Sequence, residues 1–329
     1  MLGRFFQSDP DIRITGTEIY LDPAESRPIG VVSHAHSDHI GRHGHFVATT
    51  PTADLMRLRL GRALVGTELQ YRERLPLGGL EIELFPAGHV LGSAMVRVTR
   101  DGESLLYTGD FKLRPALTCD PAEVPCADSV IIESTYGHPD WVFPPAEELR
   151  EQLLALIRTA TARNRTVVLL AYSLGKAQEA TAMLRGSGPP VVLHPSVASL
   201  SEVYERHGID LGEWEVWSEQ ESMTGHRSAR SLGGRVLIVP PHLRGEIRRI
   251  PLATTILLTG WALHRGNLGA DYALPMSDHA DFPQLLELVD RSQAKSVYVT
   301  HGARRLAAEL RDRGFEAEFL VRKLQMRLF

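Results

Sequence analysis

The chain has 329 residues, of which 23% are charged and 43% are hydrophobic, and its formal net charge is −4 at pH 7. This composition is ordinary for a folded globular protein and excludes a largely disordered or collagen-like chain. The slight negative charge gives no general attraction to nucleic acid, so any nucleic-acid-binding surface must be a local basic patch.

We expect a cytoplasmic protein with no membrane partner. No apolar run approaches the ~18 residues of a membrane span, and residues 1–9 show no long apolar segment before a cleavage-like site. The two cysteines, Cys119 and Cys126, lack C-x-x-C spacing, so neither a disulfide framework nor a thiolate zinc site is predicted. Both cysteines are expected to be reduced.

Residues 12 to about 140 form a strand-rich region by their alternation of apolar and polar residues. The predicted strands are 11–21, 30–33, 45–49, a pair around residue 89 at 80–85 and 94–98, 104–109 and 129–133. Pro139, Pro144 and Pro145 then mark a boundary.

Beyond the prolines, predicted strands alternate with predicted helices. The helices are 146–162, 176–184 and 198–207, and the strands are 166–171, 190–194, 235–239 and 255–259. This alternation predicts a small parallel α/β unit. After residue 281 the pattern predicts a helix at 283–292, a strand ending at Thr300, a helix at 304–313 and a final strand.

The segment after the second predicted strand carries His34, His36, Asp38 and His39 within six positions. Histidine is the commonest metal ligand, and aspartate adds an oxygen ligand for a divalent cation. If the segment is extended, His34 and His36 share one face and can bind a first ion, and Asp38 and His39 then turn toward a second, so the spacing predicts two metals. Surface histidines are the weaker interpretation, because such a cluster without a cation suffers repulsion and desolvation.

Further ligand types follow other predicted strands, and strand ends on one sheet edge converge in space. These residues are His89, Asp110, Glu133 and His301. We predict that one ion is bound by His34, His36 and His89, that the other is bound by Asp38, His39 and His301, and that Asp110 bridges both. This is the outline of a two-metal hydrolytic site.

The histidine run, Gly88-His89, Thr108-Gly109-Asp110 and His301 resemble the motifs of the metallo-β-lactamase fold. That fold hosts many reactions and does not choose among them. Segments 131–137, 277–281 and 298–302 resemble motifs A, B and C of the β-CASP nucleases, which cut DNA or RNA. The resemblance implies an α/β protein: a metallo-β-lactamase αββα sandwich, made of residues 1–143 and 266–329, with an inserted β-CASP α/β cap at residues 144–265.

More narrowly, the chain length, segment 38–45 and the short cap resemble the bacterial DNA-ligase-associated exonucleases. This implies a nuclease with two divalent ions, Zn or Mn, that acts as an exonuclease on single-stranded DNA in repair and leaves a 5′-phosphate. It also implies a DNA ligase and other repair proteins as partners.

Three alternatives stay open. The histidine in motif C, His301, resembles that of the RNA-processing β-CASP enzymes, so an RNA substrate is the alternative nearest to the DNA prediction. Hydrolysis of thioesters or small esters needs neither a large cap nor a Glu133/His279 pair, so those features weigh against it. A noncatalytic scaffold typically loses ligands, whereas every expected ligand is present here.

The resemblance also implies the catalytic residues. These are Asp38, His279 as the acid that protonates the leaving oxygen, and Glu133, which would orient His279 and raise its pKa. Asp22 is expected to support the histidine loop by hydrogen bonds, although a simple turn residue before Pro23 is an alternative. Asp278 and Asp281 are expected to cap a helix or to support the site.

A substrate phosphate site is predicted at Ser173, Gly175 and Lys176, where a buried strand runs into a helix with Ser173 as the N-cap. Arg265 is a further phosphate ligand, and Trp261 either stacks a base or packs in the core. A common strand-to-helix turn is the alternative.

The remaining basic clusters are either nucleic-acid contacts or solvated helix faces. They are Arg57, Arg59, Arg62, Arg72 and Arg74, and then Arg244, Arg248 and Arg249. Near the C-terminus, Arg322, Lys323 and Arg327 alternate with apolar residues as on the wet face of a strand.

Overall fold

A computed structural model describes residues 5–8, 10–186, 188–217, 234–247, 250 and 252–320. The chain forms two compact units, the first built from residues 1–142 and 278–329 and the second from residues 143–277. The second unit begins at residue 143, one residue before the predicted start of the cap at residue 144. The return to the first unit comes later than residue 266, because the strand Tyr272–Leu274 pairs with the strand Ala253–Leu258 inside the second unit.

The first sheet of the first unit has the strand order β1-β2-β3-β4-β5-β6. Its strands are β1 (Phe6–Gln7), β2 (Ile12–Ile14), β3 (Ile19–Leu21), β4 (Ile29–Val31), β5 (His45–Thr49) and β6 (Gly66–Leu69). The single strand predicted at 11–21 is two strands, because the chain turns between them at Gly16, whose φ is 77°. Glycine adopts this left-handed conformation at no steric cost.

The second sheet has the order β19-β18-β11-β10-β9-β8-β7. Its strands are β7 (Arg74–Leu77), β8 (Leu80–Pro86), β9 (Ala94–Arg100), β10 (Glu103–Tyr107), β11 (Ser129–Ser134), β18 (Ser296–Gly302) and β19 (Glu316–Phe319). β11 runs parallel to both neighbours, with Tyr107 opposite Ile131 and Glu133 opposite Thr300. The residues at the carboxyl ends of β10, β11 and β18 therefore meet at one edge.

The two sheets share one apolar core, to which Leu21 and Val47 contribute from the first sheet and Val96 and Ile131 from the second. Alternate residues of β11, Val130 and Ile132, point to the opposite face. That face is covered by helices α7 (Phe282–Ser292) and α8 (Arg305–Asp312).

Helix α1 (Thr50–Leu60) contacts the first sheet at β5. Its buried side chains include Thr52 and Ala53 as well as Leu55 and Met56, so its apolar periodicity is weak and the sequence did not predict it. With α1 on one side and α7 and α8 on the other, the first unit is the predicted αββα sandwich.

The second unit contains a parallel sheet with the order β14-β13-β15-β12-β16-β17. The strands are β12 (Thr166–Leu170), β13 (Val191–Leu193), β14 (Trp214–Val216), β15 (Val236–Val239), β16 (Ala253–Leu258) and β17 (Tyr272–Leu274). The helices are α2 (Ala146–Thr161), α3 (Lys176–Leu184), α4 (Pro195–Arg206), α5 (Arg244–Ile247) and α6 (Ala262–Arg265), with a 3-10 turn at Pro241–Leu243.

Both faces of this sheet are buried, which is usual for parallel sheets. Val167 and Leu169 pack on one face with Leu153 of α2, whereas Val168 and Leu170 pack on the other. The alternation of strands and helices predicted from the sequence is confirmed. Among the described helices, none is both long enough and apolar enough to cross a lipid bilayer.

Candidate active site

Asp22 is a buried carboxylate that holds the histidine loop. Its Oδ1 accepts a hydrogen bond from the Ser33 amide at 2.6 Å, and its Oδ2 accepts bonds from Ser33 Oγ at 2.5 Å and from the Tyr107 hydroxyl at 3.0 Å. Nδ1 of His39 lies 2.8 Å from the same Oδ2. One carboxylate thus ties together both ends of the segment 33–39.

Four predicted ligands converge at the start of this loop. Nδ1 of His36 lies 3.0 Å from Nε2 of His34 and 3.1 Å from Nε2 of His89. Oδ2 of Asp110 lies 3.4 Å from the His34 nitrogen and 3.8 Å from the His89 nitrogen. All four ligand atoms lie within 4.8 Å of one another. Four ligands around a tetrahedral zinc ion, with Zn–N distances of about 2.0–2.1 Å, are separated by about 3.3 Å, so the donor set fits a divalent cation.

Neighbouring groups orient two of these imidazoles. Nδ1 of His89 donates to the backbone carbonyl of Asp278 at 2.8 Å, which leaves Nε2 as the free ligand atom. Nδ1 of His34 lies 2.9 Å from Ser33 Oγ, which itself donates to Asp22. Such outer contacts set the tautomer and the ring orientation of metal-binding histidines.

The predicted ligands of the second ion, Asp38, His39 and His301, form a more solvent-exposed group. Nε2 of His39 lies 3.5 Å from Asp110 Oδ2 and 3.7 Å from Asp38 Oδ2, and the Asp38 side chain is 56% exposed. The His301 ring stacks on His39 with a centroid distance of 5.7 Å. Among the described residues, His301 and Asp38 belong to none of the groups whose ligand atoms all lie within 4.8 Å of one another.

Burial and charge divide the histidines into two types. Burial lowers the pKa of His34 well below its usual value and lowers that of His89 to about 3, so both imidazoles are neutral and able to bind a cation. Burial alone would also lower the pKa of His39, but the carboxylates of Asp110 and Asp22 outweigh it and raise the value to about 10. Burial opposes ionisation of Asp110, yet the nearby His39 holds its pKa well below the usual range.

Glu133 and His279 form a pair beside this cluster. Nδ1 of His279 lies 3.1 Å from Glu133 Oε1 and 3.2 Å from Oε2, and 3.9 Å from Asp110 Oδ2. Glu133 is buried and also accepts bonds from the Phe111 amide at 3.0 Å and the Thr135 hydroxyl at 2.5 Å. Burial would lower the pKa of His279, but the charge of Glu133 and then that of Asp110 raise it to about 9.

The loop that carries His279 is held at its far end by Asp281, the N-cap of α7. The Asp281 carboxylate accepts from the Gln284 amide at 3.3 Å and pairs with Arg114 Nη2 at 2.9 Å. Gln284 Oε1 in turn accepts from the backbone amide of Arg114 at 2.9 Å. The sequence predicted the capping role of Asp281 but missed Arg114 and Gln284, because no local pattern signals contacts over such long separations.

The predicted phosphate loop differs in detail from its expected form. Helix α3 begins at Lys176 with Gly175, not Ser173, as its N-cap. Gly175 has a φ of 88°, and its amide donates to Gln178 Oε1 at 2.8 Å. A side-chain amide three residues ahead thus caps the helix, as in a capping box.

Four of the five arginines of the cluster in the first unit contact acidic side chains or a backbone carbonyl. Arg57 pairs with Glu68 at 2.6 Å, Arg72 pairs with Glu123, and Arg74 lies 3.5 Å from Glu81. Arg59 Nη1 donates to the backbone carbonyl of Ala35, at 2.7 Å, inside the histidine loop. The predictions for Arg248, Arg249, Arg322, Lys323 and Arg327 concern residues outside those that the structure describes.

Two family models match this chain. The model of the metallo-β-lactamase superfamily matches residues 31–169, and a model described as a Zn-dependent metallo-hydrolase RNA specificity domain matches residues 272–319. The first match contains the histidine loop, His89, Asp110 and Glu133, and the second contains His279 and His301.

Several curated proteins are similar to the chain. It is 38% identical over 307 residues to a probable DNA ligase of Opitutus terrae, a match that covers 91% of this chain and 29% of that protein. An RNase J-like protein of Methanocaldococcus jannaschii is 34% identical over 45% of this chain and 41% of its own length. A ribonuclease of Thermus thermophilus is 32% identical over 48% of this chain and 43% of its own length. The chain thus spans less than half of the length of each of these relatives. From these matches and from its fold, the chain belongs to the β-CASP family of the metallo-β-lactamase superfamily.

Proposed function

We propose that this chain is a metal-dependent hydrolase that cleaves phosphodiester bonds of single-stranded DNA, as an exonuclease in DNA repair. The observation that carries the proposal is the convergence of His34, His36, His89 and Asp110, with the Glu133/His279 pair beside them. A scaffold subunit has no need for a complete ligand set joined to a positioned acid.

His34, His36, His89 and Asp110 would hold one divalent cation, and His39, Asp38 and His301, with Asp110 shared, would hold a second. Histidine-rich ligation suits Zn²⁺, and the carboxylates also permit Mn²⁺. The chemistry that such ions supply when bound is the activation of water near neutral pH and the stabilisation of charge on phosphate oxygens.

His279 would deliver the proton that the leaving oxygen needs. Its Nδ1 faces the buried Glu133 carboxylate, and its Nε2, which lies 4.0 Å from Asp278 Oδ1, is the atom that would act on substrate. A neighbouring carboxylate keeps the imidazole protonated and fixes its orientation, which are the properties of a general acid. When Nε2 gives its proton to the leaving oxygen, Glu133 stabilises the orientation of the neutral ring.

The relative from Opitutus terrae favours DNA. The similarity to that probable DNA ligase spans 91% of this chain but only 29% of the other protein, so a region similar to this chain is part of a longer protein named as a probable DNA ligase. By analogy, we propose that the present chain works with a DNA ligase and other repair proteins.

RNA is the second candidate substrate. It is favoured by the match of residues 272–319 to an RNA specificity domain and by the names of the RNase J-like and ribonuclease relatives. These two relatives match less than half of this chain, whereas the DNA ligase match covers 91% of it.

Matched DNA and RNA oligonucleotides of one sequence test the proposal directly. Each is labelled at the 5′ or the 3′ end, and each is also made with the opposite end blocked, in Zn²⁺ and in Mn²⁺. Stepwise shortening of the DNA with little loss of RNA is the expected result. Preferential loss of RNA would support the second candidate, and intact substrates of both kinds in both metals would refute the proposal.

A further inference from the structure

Strands β11 and β18 lose their regular pairing where they reach the candidate active site. Glu133 lies opposite Thr300, and the next residue, Ser134, lies opposite Gly302. His301 is therefore an extra residue between two paired positions, which is a β-bulge. Bulges are rare between parallel strands, as these two are, and those next to active sites re-aim a side chain.

The bulge changes the direction in which the His301 side chain points. Alternate residues of a regular strand share one face, so residue 301 would join Val297 and Val299, which pack with helices α7 and α8. The His301 ring instead stacks on His39, with a centroid distance of 5.7 Å and an angle of 30° between the ring planes. The extra residue thus turns an imidazole away from the helical layer and toward the second proposed cation position.

The backbone of His301 has a conformation that residues with a side chain seldom adopt. Its φ is 49°, in the left-handed region, where the β-carbon crowds the backbone. Such a conformation persists only where the surrounding contacts enforce it, and conformations of this kind concentrate at functional sites. The residue that enforces it therefore also sets the position of the imidazole.

Ser134, at the end of β11, contacts the bulge through both its side chain and its backbone. Its hydroxyl is buried and faces the carbonyl oxygen of Thr300 at 3.0 Å and that of His301 at 3.3 Å, which precede and follow the His301 α-carbon. The Ser134 carbonyl oxygen accepts a hydrogen bond from the Ala303 amide at 3.0 Å. A β-carbon at position 302 would overlap this same oxygen, so the close approach requires Gly302.

We propose that Ser134 is the positioning residue for His301 and that, through His301, it builds the second cation position. Ser134 is not among the proposed ligands, so its effect passes through the backbone that carries the imidazole. The residue before it, Glu133, faces His279, so two consecutive residues of β11 serve the proposed acid and the second cation. This inference rests on the proposed function for the presence of a second cation, and it adds how that position is held.

The test measures Zn²⁺ binding rather than cleavage. The metal-stripped full chain is titrated with Zn²⁺ by calorimetry, in which the tighter first position fills before the second. Ser134→Ala should weaken the second phase about 10- to 100-fold, the usual effect of losing a group that supports a ligand, and should leave the first phase unchanged. Ser134→Cys keeps a weaker donor at the same place and should give an intermediate loss. Adding Ser134→Ala to His301→Ala should cause no further loss, because the hydroxyl acts only through the missing imidazole.

The controls separate positioning from general stability. Ser292→Ala removes another buried serine of the first unit, whose hydroxyl donates to the carbonyl of Val289 at 2.8 Å. It should lower the urea midpoint as much as Ser134→Ala does, yet leave both Zn²⁺ phases unchanged. Thr300→Val removes a buried hydroxyl next to His301 that has no hydrogen-bond partner among the described residues. It keeps the shape of the side chain and should also leave both phases unchanged.

Three results would overturn the inference: an unchanged second phase in Ser134→Ala, an equal weakening of both phases, or a full further loss when Ser134→Ala is added to His301→Ala. A single phase in the unsubstituted protein would also overturn it, because no second position would exist. Its failure is distinguishable from failure of the proposed function. A selectively weaker second phase in Ser134→Ala, together with intact oligonucleotides, supports the positioning role and refutes the nuclease. Cleavage of oligonucleotides, together with unchanged Zn²⁺ binding by Ser134→Ala, does the reverse.

Discussion

Nδ1 of His279 lies 3.1 Å from Oε1 of Glu133, although the two residues are 146 positions apart in the sequence. Glu133 is the next-to-last residue of strand β11, and His279 lies just before helix α7. A buried carboxylate that faces one ring nitrogen fixes the orientation of the imidazole, which is the arrangement that the proposed acid and its orienting group require.

Replacement of His279 by alanine should lower cleavage of natural DNA about 10²- to 10⁴-fold, the usual contribution of a general acid. The metal content should stay unchanged, since His279 is not among the proposed ligands. Thymidine 5′-(p-nitrophenyl phosphate) should be cleaved by His279→Ala nearly as fast as by unsubstituted protein, because nitrophenolate leaves without a proton.

A matched control is His138→Ala, which removes a half-exposed histidine of the same unit that pairs with Asp140. It should cleave both substrates at the unsubstituted rate. Equal losses on natural DNA and on the nitrophenyl ester in His279→Ala would argue against an acid role.

Arg59 should act as a positioning residue for the metal ligands. Its guanidinium donates at 2.7 Å to the carbonyl of Ala35, which lies between His34 and His36. Loss of a group that supports metal ligands typically weakens metal binding about 10- to 100-fold, and because Arg59 is exposed we expect the lower end for Arg59→Ala. Titration calorimetry with Zn²⁺ measures the change.

Arg57→Ala provides the control for Arg59. Arg57 lies on the same helix but pairs with Glu68 and with Asp54, outside the histidine loop. Its replacement should leave Zn²⁺ affinity unchanged. If the two variants bind Zn²⁺ equally well, the contact with Ala35 has no positioning role.

Asp22→Asn should weaken both the fold and the metal centre. The carboxylate accepts bonds from Ser33 and Tyr107 and faces His39 Nδ1, and an amide nitrogen would point a donor at one of these donors. A buried unsatisfied donor costs about 1–3 kcal/mol. The free energy of unfolding, from urea titration without metal, should fall by that amount.

Tyr107→Phe removes only one of those donors and should lose about 1 kcal/mol. A drop in Zn²⁺ affinity of about 10- to 100-fold is expected for Asp22→Asn. Unchanged stability and affinity in Asp22→Asn would mean that Asp22 is only a turn residue.

The two cation positions should differ in affinity. The first has four ligand atoms within 4.8 Å of one another, whereas in the second Asp38 is 56% exposed and His301 lies apart. Titration of metal-stripped protein with Zn²⁺ should therefore show a tight and a weaker phase. His89→Ala should abolish the tight phase, and His301→Ala should weaken only the second, with metal content checked by mass spectrometry. A single phase that both variants weaken equally would contradict two distinct positions.

Asp128 should make the stability of the first unit depend on pH. Hydrogen bonds from the Ser104 hydroxyl and amide, at 2.8 and 2.9 Å, lower its pKa in the folded state. Because the folded pKa is the lower one, the stabilisation is present above the unfolded pKa of about 3.9 and is lost as the pH falls through the folded value.

Asp128→Asn should thus be less stable than the unsubstituted protein at pH 7, by no more than about 1 kcal/mol at this exposed site. The difference in the urea midpoint should shrink below about pH 4. A difference that grows as the pH falls would contradict the assignment.

The sequence by itself determined most strands and helices, the inserted α/β unit and the residue types of the candidate metal cluster, and the αββα sandwich followed from the resemblance to the metallo-β-lactamase fold. Apolar residues that recur with a period of two indicate strands, and those that recur with a period of 3.6 indicate helices. His34, His36 and Asp110 follow strands predicted in this way. Parallel strands end at a common edge, so ligands at strand ends could be expected to meet.

Only the tertiary structure decided which neighbours complete the site. The carbonyl that orients His89 belongs to Asp278, 189 residues away, and Arg59 reaches back to Ala35 from a helix whose weak periodicity hid it. The structure also brought Asp110 into the first group, whereas His301, predicted for the second ion, belongs to no such group among the described residues. Such contacts depend on strand register and on loop paths set by packing of the whole core, for which the local sequence carries no signal.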